Sequence, residues 1–401
     1  MPPSVSTMSE VDLFAGLAGA YVHTPFCAAI CPYCDFAVVA GKDDLIDRYC
    51  DAVVSEIEID EPWRPLDAAY FGGGTPSRVP AVRMADMLGA LRRKHGLAEH
   101  AEITLEANPE DWTEAVAAGF RAAGFNRVSF GAQSFDRSVL LSLGRRHGPS
   151  QISTSVRIAR REGFANVSID LIYGTPGETE PSWRETVEAG AAAEPDHVSC
   201  YALTVEPGTE LGRKVKSGAP SPDPDVQAHR FEIADEILSA SGLTRYEVSN
   251  WSLPGHECVY NSLVWAQGEY VAYGNGAHRY RSGVRSRNIR RLDAYIGAVE
   301  RGHAPVAGEE RLEGWDLELD RLFVGLRRAT GVEAGAGGEA FAADADGRRL
   351  IDAGIVSTAR ERLTVTNPML TDEVLRVVLG LDHLKLGNID PNGDTLKGTD
   401  A

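Results

Sequence analysis

The sequence predicts an α/β protein: a partial (β/α)6 barrel of parallel strands, then an α+β extension, then a small C-terminal winged-helix-like domain. Three observations carry this prediction. Short β-branched and aromatic runs alternate with amphipathic helical stretches through the first half of the chain, each run ends on its most polar or glycine-rich residues, and the alternation stops after Pro207-Gly208. Repeated strand, helix, strand units joined by right-handed crossovers build a parallel sheet that curls toward a barrel.

The strand runs are YVHTPF at 21–26, AAYFGGG at 68–74, EITLEAN at 102–108, RVSFGAQ at 127–133, NVSIDLIYG at 166–174 and HVSCYALT at 197–204. Between them, Leu45, Tyr49, Ala52, Val53 and Ile57 form an apolar stripe at helical spacing. Val82, Leu88 and Leu91, then Val116, Phe120 and Ala123, mark two further helices. In such sheets the active site lies at the C-terminal strand ends. Here these are the cysteine loop after Phe26, Gly72 to Thr75, Glu106 to Asn108, Gln133-Ser134, Asp170 to Gly174 and Tyr201 to Thr204.

The boundaries follow as a segment at 1–19, the barrel at 20–207, the extension at 208–312, the winged-helix-like domain at 313–384 and a polar tail without fixed structure at 385–401. The stretch SGAPSPDPD at 217–225 reads as a connector. A helix through Ala228, Phe231, Ile233, Ala234 and Ile237 follows, then an irregular aromatic segment from Tyr246 to Tyr280. The last domain rests on Leu319, Leu322, Phe323 and Leu326, on LIDAGIV, on the alternating LTVT and on a final helix DEVLRVVLGL.

Bulk properties narrow the function. Hydrophobic residues make up 43% of the chain and charged ones 24%, ordinary globular usage. A net charge of −18 repels phosphate backbones, so nucleic acid is not the expected partner despite the winged-helix-like domain. No 18-residue apolar run predicts a membrane span, and nothing resembling a signal peptide precedes Lys42, so the chain is expected in the cytoplasm. Thiols there are reduced, which reserves clustered cysteines for metal or redox chemistry.

Cys27, Cys31 and Cys34 are such a cluster, spaced C-x3-C-x2-C on a loop leaving the first strand. Three thiolates can hold a [4Fe-4S] cluster with one iron left for a small chelating ligand. They can also hold zinc if a fourth ligand such as His23 joins them. The spacing, with Tyr33 just before the third cysteine, is similar to the signature of the radical S-adenosylmethionine (SAM) superfamily. The blocks YVHTPFC, CPYCDF, FGGGTPS, EANPE, RVSFGAQSF, SIDLIYGTPGET, VSCYALTVEPGT, RYEVSN and GNGAH, in that order, resemble its coproporphyrinogen III oxidase-like branch over nearly the whole chain.

The candidate residues carry readings of their own. Gly72-Gly73-Gly74-Thr75 lacks the Lys-Ser/Thr of a phosphate loop; it is a tight turn or a place of close backbone approach to a ligand. The resemblance implies that Gly73, Gly74 and Thr75 contact the SAM amino group. Glu106 is a capping or surface acid by position, and a ligand of ribose hydroxyls by resemblance. Gln133, Arg145 and Asp170 match polar positions around SAM or a second SAM molecule. Arg145 alone would be a solvated charge, whereas Asp170 sits in an apolar run and needs a partner, either Arg145 or a ligand hydroxyl. Tyr21 is a strand-core aromatic that, by resemblance, helps line the SAM pocket with Tyr33.

Within that branch the chain is most similar to the heme chaperones of the HemW type. The oxidase has a fourth cysteine two residues after the third, where this chain has Phe36, and a longer segment before the cluster than the 26 residues preceding Cys27. The heme chaperones carry H-N-x-x-Y-W in the second half. The aligned stretch here keeps Asn261 and Trp265 but has Tyr260 for the histidine, with His256 and Cys258 nearby, so these three are the candidate heme ligands. The resemblance therefore implies heme or porphyrin as bound cargo, a hemoprotein acceptor and an electron donor for cluster reduction. An oxygen-independent coproporphyrinogen III oxidase-like enzyme, or a related methyltransferase, is the competing expectation. The sequence assigns no oligomeric state.

Overall fold

A computed structural model describes residues 14–381. The expected tail at 385–401 and most of the segment at 1–19 lie outside the described residues. Two compact units are present. One runs through Val264 and takes in Gly268–Arg311; the other comprises Trp265–Gln267 and the chain from Leu312. The stretch expected as a separate extension thus belongs to the same unit as the barrel.

The first unit is built on β1 (Ala18–Thr24), β2 (Leu66–Gly73), β3 (Leu97–Ala107), β4 (Arg127–Gln133), β5 (Asn166–Tyr173) and β6 (His197–Ala202), all parallel. These are the six runs read from the sequence, within a few residues at each end. Short strands β7 (Thr244–Arg245) and β8 (Asn250–Ser252) continue the sheet beyond β6. On the other side lie β9 (Glu269–Tyr273), β10 (His278–Arg281), β11 (Val284–Asn288) and β12 (Val306–Arg311). The full order is β12-β11-β10-β9-β1-β2-β3-β4-β5-β6-β8-β7.

This corrects the expectation that Tyr246 to Tyr280 is irregular. Within it β9 pairs in parallel with β1, from Ala18 opposite Glu269 to Val22 opposite Tyr273, and is a seventh parallel strand. The sequence hides it because EYVAY is short and arrives outside the strand and helix alternation.

Helices α1 (Ile46–Ile59), α2 (Ala81–Lys94) and α3 (Glu114–Ala123) cover the sheet. In α1, Tyr49, Ala52, Val53 and Ile57 are buried as the stripe predicted. In α2 the buried face is Met84, Met87, Leu88 and Leu91, while Val82 is 66% exposed and lies outside it. Thr113 caps α3 by accepting the Val116 N–H, and Gly124, at φ 108°, ends it in the left-handed region.

Glu56 ties α1 to the far side of the sheet. Its carboxylate accepts the Gly274 N–H at 2.8 Å, the Asn288 amide at 2.6 Å and the Tyr295 hydroxyl at 2.5 Å. Tyr295 belongs to a further helix, Leu292–Glu300. Burial pushes the Glu56 pKa up to about 7 despite these donors.

In the second unit, β13 (Val332–Glu333), β14 (Val356–Ser357) and β15 (Arg362–Val365) form an antiparallel sheet in the order β13-β15-β14. Four helices, Gly314–Gly325, Gly335–Ala343, Ala345–Asp352 and Thr371–Leu379, accompany it. Leu322, Phe341, Leu350, Leu363 and Val374 make its core, a winged-helix-like arrangement. Among the described residues no helix is long and apolar enough to cross a membrane.

A carboxyl whose pKa rises on folding contributes stability that is complete below its unfolded value, near 4.5, and is lost as the pH climbs through its folded value, about 7. Glu106 and Glu247, each also raised to about 7 by burial, act in the same direction. The thermal midpoint should therefore fall as the pH rises from about 4.5 through about 7. In a calorimetric pH series Glu56→Gln should flatten that slope, whatever it does to absolute stability.

Candidate cofactor site

A cavity of about 480 Å³ opens at the C-terminal ends of the parallel strands. Its wall brings together Cys27, Cys31, Cys34, Tyr33, Gly73, Gly74, Thr75, Glu106, Gln133, Arg145 and Asp170, which are most of the residues singled out from the sequence. The volume suits one cofactor-sized ligand.

The cysteine loop is fixed at both ends. Phe26–Cys27 pairs in parallel with Val39–Ala40, and the Val39 N–H donates to Pro25 O at 2.8 Å. Ala37 O, inside the loop, accepts from His23 Nε2 at 3.1 Å and from the Asn275 amide at 3.2 Å. Arg290 donates to Asp35 O. Burial holds the His23 pKa down at about 4, so the ring is neutral with one proton. Because Ala37 O only accepts, that proton is on Nε2, and Nδ1 accepts the Tyr21 hydroxyl at 3.2 Å. Both His23 nitrogens are thus engaged away from the thiols, which removes His23 as the fourth ligand of a zinc site.

The glycine loop packs on the base of the cysteine loop. The Gly74 N–H donates to Thr24 O at 2.8 Å and the Thr75 N–H to Phe26 O at 2.9 Å. Gly73 has φ +111°, and a Cβ there would stand 2.3 Å from the His23 ring. Its N–H donates to Glu106 Oε2 at 2.9 Å, while the Tyr70 hydroxyl donates to Oε1 at 2.8 Å. Burial raises Glu106 to about 7, leaving a carboxyl that can accept from a ligand hydroxyl or share a proton with it.

The three thiols face the cavity as separate donors. Among the described residues no three His, Cys, Asp or Glu side chains stand within metal-ligand reach of one another. Burial raises the Cys27 thiol and pushes Cys34 up to about 11, and a neighbouring thiolate opposes ionisation of each further. A bound metal deprotonates its thiol ligands, which offsets the cost that burial places on their charge. The Thr75 hydroxyl lies 3.7 Å from Cys27 Sγ and Arg145 Nη1 3.7 Å from Cys31 Sγ. Three cysteines with hydrogen-bond donors at two sulfurs fit the donor chemistry of an iron–sulfur cluster.

Of the two partners expected for Asp170, Arg145 is not bonded to it. The Ser129 hydroxyl lies 3.0 and 3.1 Å from its two oxygens, and the Ser199 hydroxyl also donates to it. Arg145 instead donates to Asn108 Oδ1 at 2.5 Å and Gly131 O at 2.8 Å. Two small hydroxyls on neighbouring strands satisfy the carboxylate without a cation, although burial still raises its pKa.

The Radical SAM superfamily model matches residues 21–190. The heme chaperone HemW of Mycobacterium tuberculosis is 39% identical over 375 residues, covering 90% of this chain and 95% of that protein. The Bacillus subtilis heme chaperone HemW is 30% identical over 91% of this chain and 100% of its own length. The chain belongs to the HemW family of radical SAM proteins. The solved coproporphyrinogen III oxidase HemN of Escherichia coli matches with a TM-score of 0.76 over 92% of each chain at 21% identity, a likeness of fold. Radical SAM membership brings a [4Fe-4S] cluster and SAM with it.

For a HemW relative, the remaining candidates are distributed unevenly. Tyr33 lines the cavity and packs against Val139, Leu143 and Leu203. Gln133 lines it with φ +66°, where the pairing of β4 with β5 shifts register. Such a conformation is costly for a non-glycine residue and clusters at functional sites. Tyr21, expected in the pocket wall, stands behind it among the described residues, its ring 6.3 Å from Tyr70 and 6.2 Å from Tyr260.

The heme candidates lie at the opposite ends of the strands and do not converge. The Val259 N–H donates to Glu102 Oε1 at 2.9 Å, the Cys258 N–H to the Tyr246 hydroxyl at 3.3 Å, and the Asn166 amide to His256 O at 3.0 Å. Cys258 is fully buried, its thiol pushed up to about 12 by that burial. Tyr260 packs between Tyr70 and Tyr270. His256 is half-buried, its Nδ1 3.8 Å from Asp196 Oδ1. Asn261 reaches the cavity, so this segment forms part of the cavity floor. The sequence reading missed Asn108 and Ser129; the signal for Asn108 was its place just past the end of β3, and Ser129, third in β4 and opposite Glu106, gave none.

Replacing Gly73 with Ala should destabilise the chain by about 3 kcal/mol or more, since it adds both backbone strain and a clash with a ring that cannot retreat. Chemical denaturation of Gly73→Ala beside the wild type measures it.

Proposed function

We propose that this chain holds a [4Fe-4S] cluster on Cys27, Cys31 and Cys34, binds SAM in the adjoining cavity, and acts as a heme chaperone that delivers heme to a hemoprotein. The observation that carries the reading is the identity with the Mycobacterium tuberculosis heme chaperone, which spans 95% of that protein. Phe36, 62% exposed where an oxidase has its fourth cysteine, points the same way.

In this reading Gly73, Gly74 and Thr75 offer backbone and hydroxyl groups to the SAM amino acid portion, and Glu106 takes the ribose hydroxyls. Tyr33, Gln133, Arg145 and Asp170 supply the remaining polar wall. When bound, the cluster provides one-electron reduction, and an electron donor outside this chain feeds it. Of the three heme candidates His256 is the one whose ring reaches solvent without opening the core, so we assign it the iron. The chain from 313 to 384 is then the part available to an acceptor protein.

Anaerobic reconstitution, iron and sulfide counting, and heme titration on one sample test the reading. Cys27→Ala, Cys31→Ala and Cys34→Ala should each lose the cluster. His256→Ala should weaken heme binding by about tenfold or more, as loss of a ligand contact does at a metal centre, while Cys258→Ala leaves it unchanged. No Soret shift at stoichiometric heme would sink the chaperone assignment. Release of 5′-deoxyadenosine with decarboxylated coproporphyrinogen would replace it with the oxidase-like enzyme.

A further inference from the structure

We propose that Asn108 is a positioning residue that sets the reduction potential of the iron site by aiming one hydrogen-bond donor at each of two cluster sulfurs. The inference rests on the assignment of the cluster to Cys27, Cys31 and Cys34.

The direction of each hydrogen bond follows from donor chemistry. Arg145 Nη2 lies 2.5 Å from Asn108 Oδ1, and a guanidinium only donates, so the amide oxygen faces it. The amide nitrogen therefore faces Thr75 Oγ1, at 3.0 Å, and donates there. With its oxygen accepting from Asn108, the single Thr75 hydroxyl proton is left for Cys27 Sγ at 3.7 Å. On the other side Arg145 is clamped between Asn108 Oδ1 and Gly131 O, which leaves Nη1 beside Cys31 Sγ at 3.7 Å. One side-chain amide thus orients the donors at two of the three sulfurs. The third, Cys34, takes the backbone N–H of Phe36.

Asn108 is well placed to hold this arrangement. It precedes Pro109, which restricts it to extended backbone, and it has φ −100° and ψ 139°. Its own N–H donates to Ser77 Oγ at 3.3 Å. Thr75 is 4% exposed, so its hydroxyl is held between Asn108 and Cys27 in a largely enclosed place. Gly131 admits Arg145, because a Cβ there would meet Nη2 at 3.2 Å.

Hydrogen bonds to cluster sulfurs stabilise the reduced form, which carries more negative charge, and so raise the potential. An aspartate at 108 would keep the size but invert one bond. Its carboxylate would accept the Thr75 proton and draw it off Cys27 Sγ.

The test is a double-variant cycle on the full chain, reconstituted anaerobically without SAM or heme, reduced by dithionite and followed by electron paramagnetic resonance. Thr75→Val should lower the midpoint by about 59 mV, a tenfold shift in a one-electron equilibrium. Asn108→Asp should lower it at least as far, and adding Thr75→Val to Asn108→Asp should shift it little more, because both remove the same proton. If Thr75→Val shifts the potential equally in both backgrounds, only added charge is acting and the inference fails. It also fails if neither single variant moves the potential. Should Asn108→Asp take up less than a full cluster, Asn108→Ala, which leaves the Thr75 hydroxyl free to rotate, serves instead: Thr75→Val should then shift the potential less in the Asn108→Ala background than in the wild type, and an equal shift overturns the inference. A wild-type chain with fewer than four irons removes the underlying assignment, and this inference with it, before any variant is compared.

Discussion

Two backbone hydrogen bonds, Gly74 to Thr24 and Thr75 to Phe26, extend the pairing of the first two strands past their regular ends. The site hangs on them. They bring the glycine loop under the cysteine loop at a separation no side chain at 73 would permit, and they set the Thr75 hydroxyl beside Cys27. From Thr75 the contacts pass through Asn108 to Arg145 and back to Cys31, so strand geometry reaches the thiols within a few bonds.

The interior of the first unit encloses several carboxyl groups. Glu56, Glu106 and Asp170 are each enclosed, and none is neutralised by a directly bonded cation. Their oxygens are met by neutral donors instead: backbone N–H groups, tyrosine and serine hydroxyls, and asparagine amides. Neutral donors offset part of the desolvation cost but do not cancel it, which is why the carboxyls titrate high. At Glu106 and Asp170, both in the cavity wall, that unspent hydrogen-bonding capacity faces the place a ligand would occupy.

Much of this was legible in the sequence, for reasons that differ by residue. The six strands of the alternating half were readable because hydrophobic runs and polar C-terminal ends recur together, and the thiols because their spacing is specific. The strand Glu269–Tyr273 was not, since five residues of mixed pattern carry no sign of the partner they find in β1. Val82 fell on a helical stripe by spacing yet is exposed, because the two methionines of the same helix reach the core instead. Asp170 announced that it needed a partner, but two serines on adjacent strands are invisible to a search for opposite charge. Asn108 reads as an ordinary residue before proline; only the direction of its two hydrogen bonds distinguishes it.

The pairing of β9 with β1 has a consequence for how the protein is made. The first strand leaves the ribosome early, but its second neighbour is about 250 residues downstream, and Asn275, which secures Ala37 in the cysteine loop, acts across 238 residues. Long-range pairings of this kind form late, after the intervening chain is available. The thiols are therefore synthesised long before their loop can be locked. The last tie on the cysteine loop can form only once residue 275 has been made.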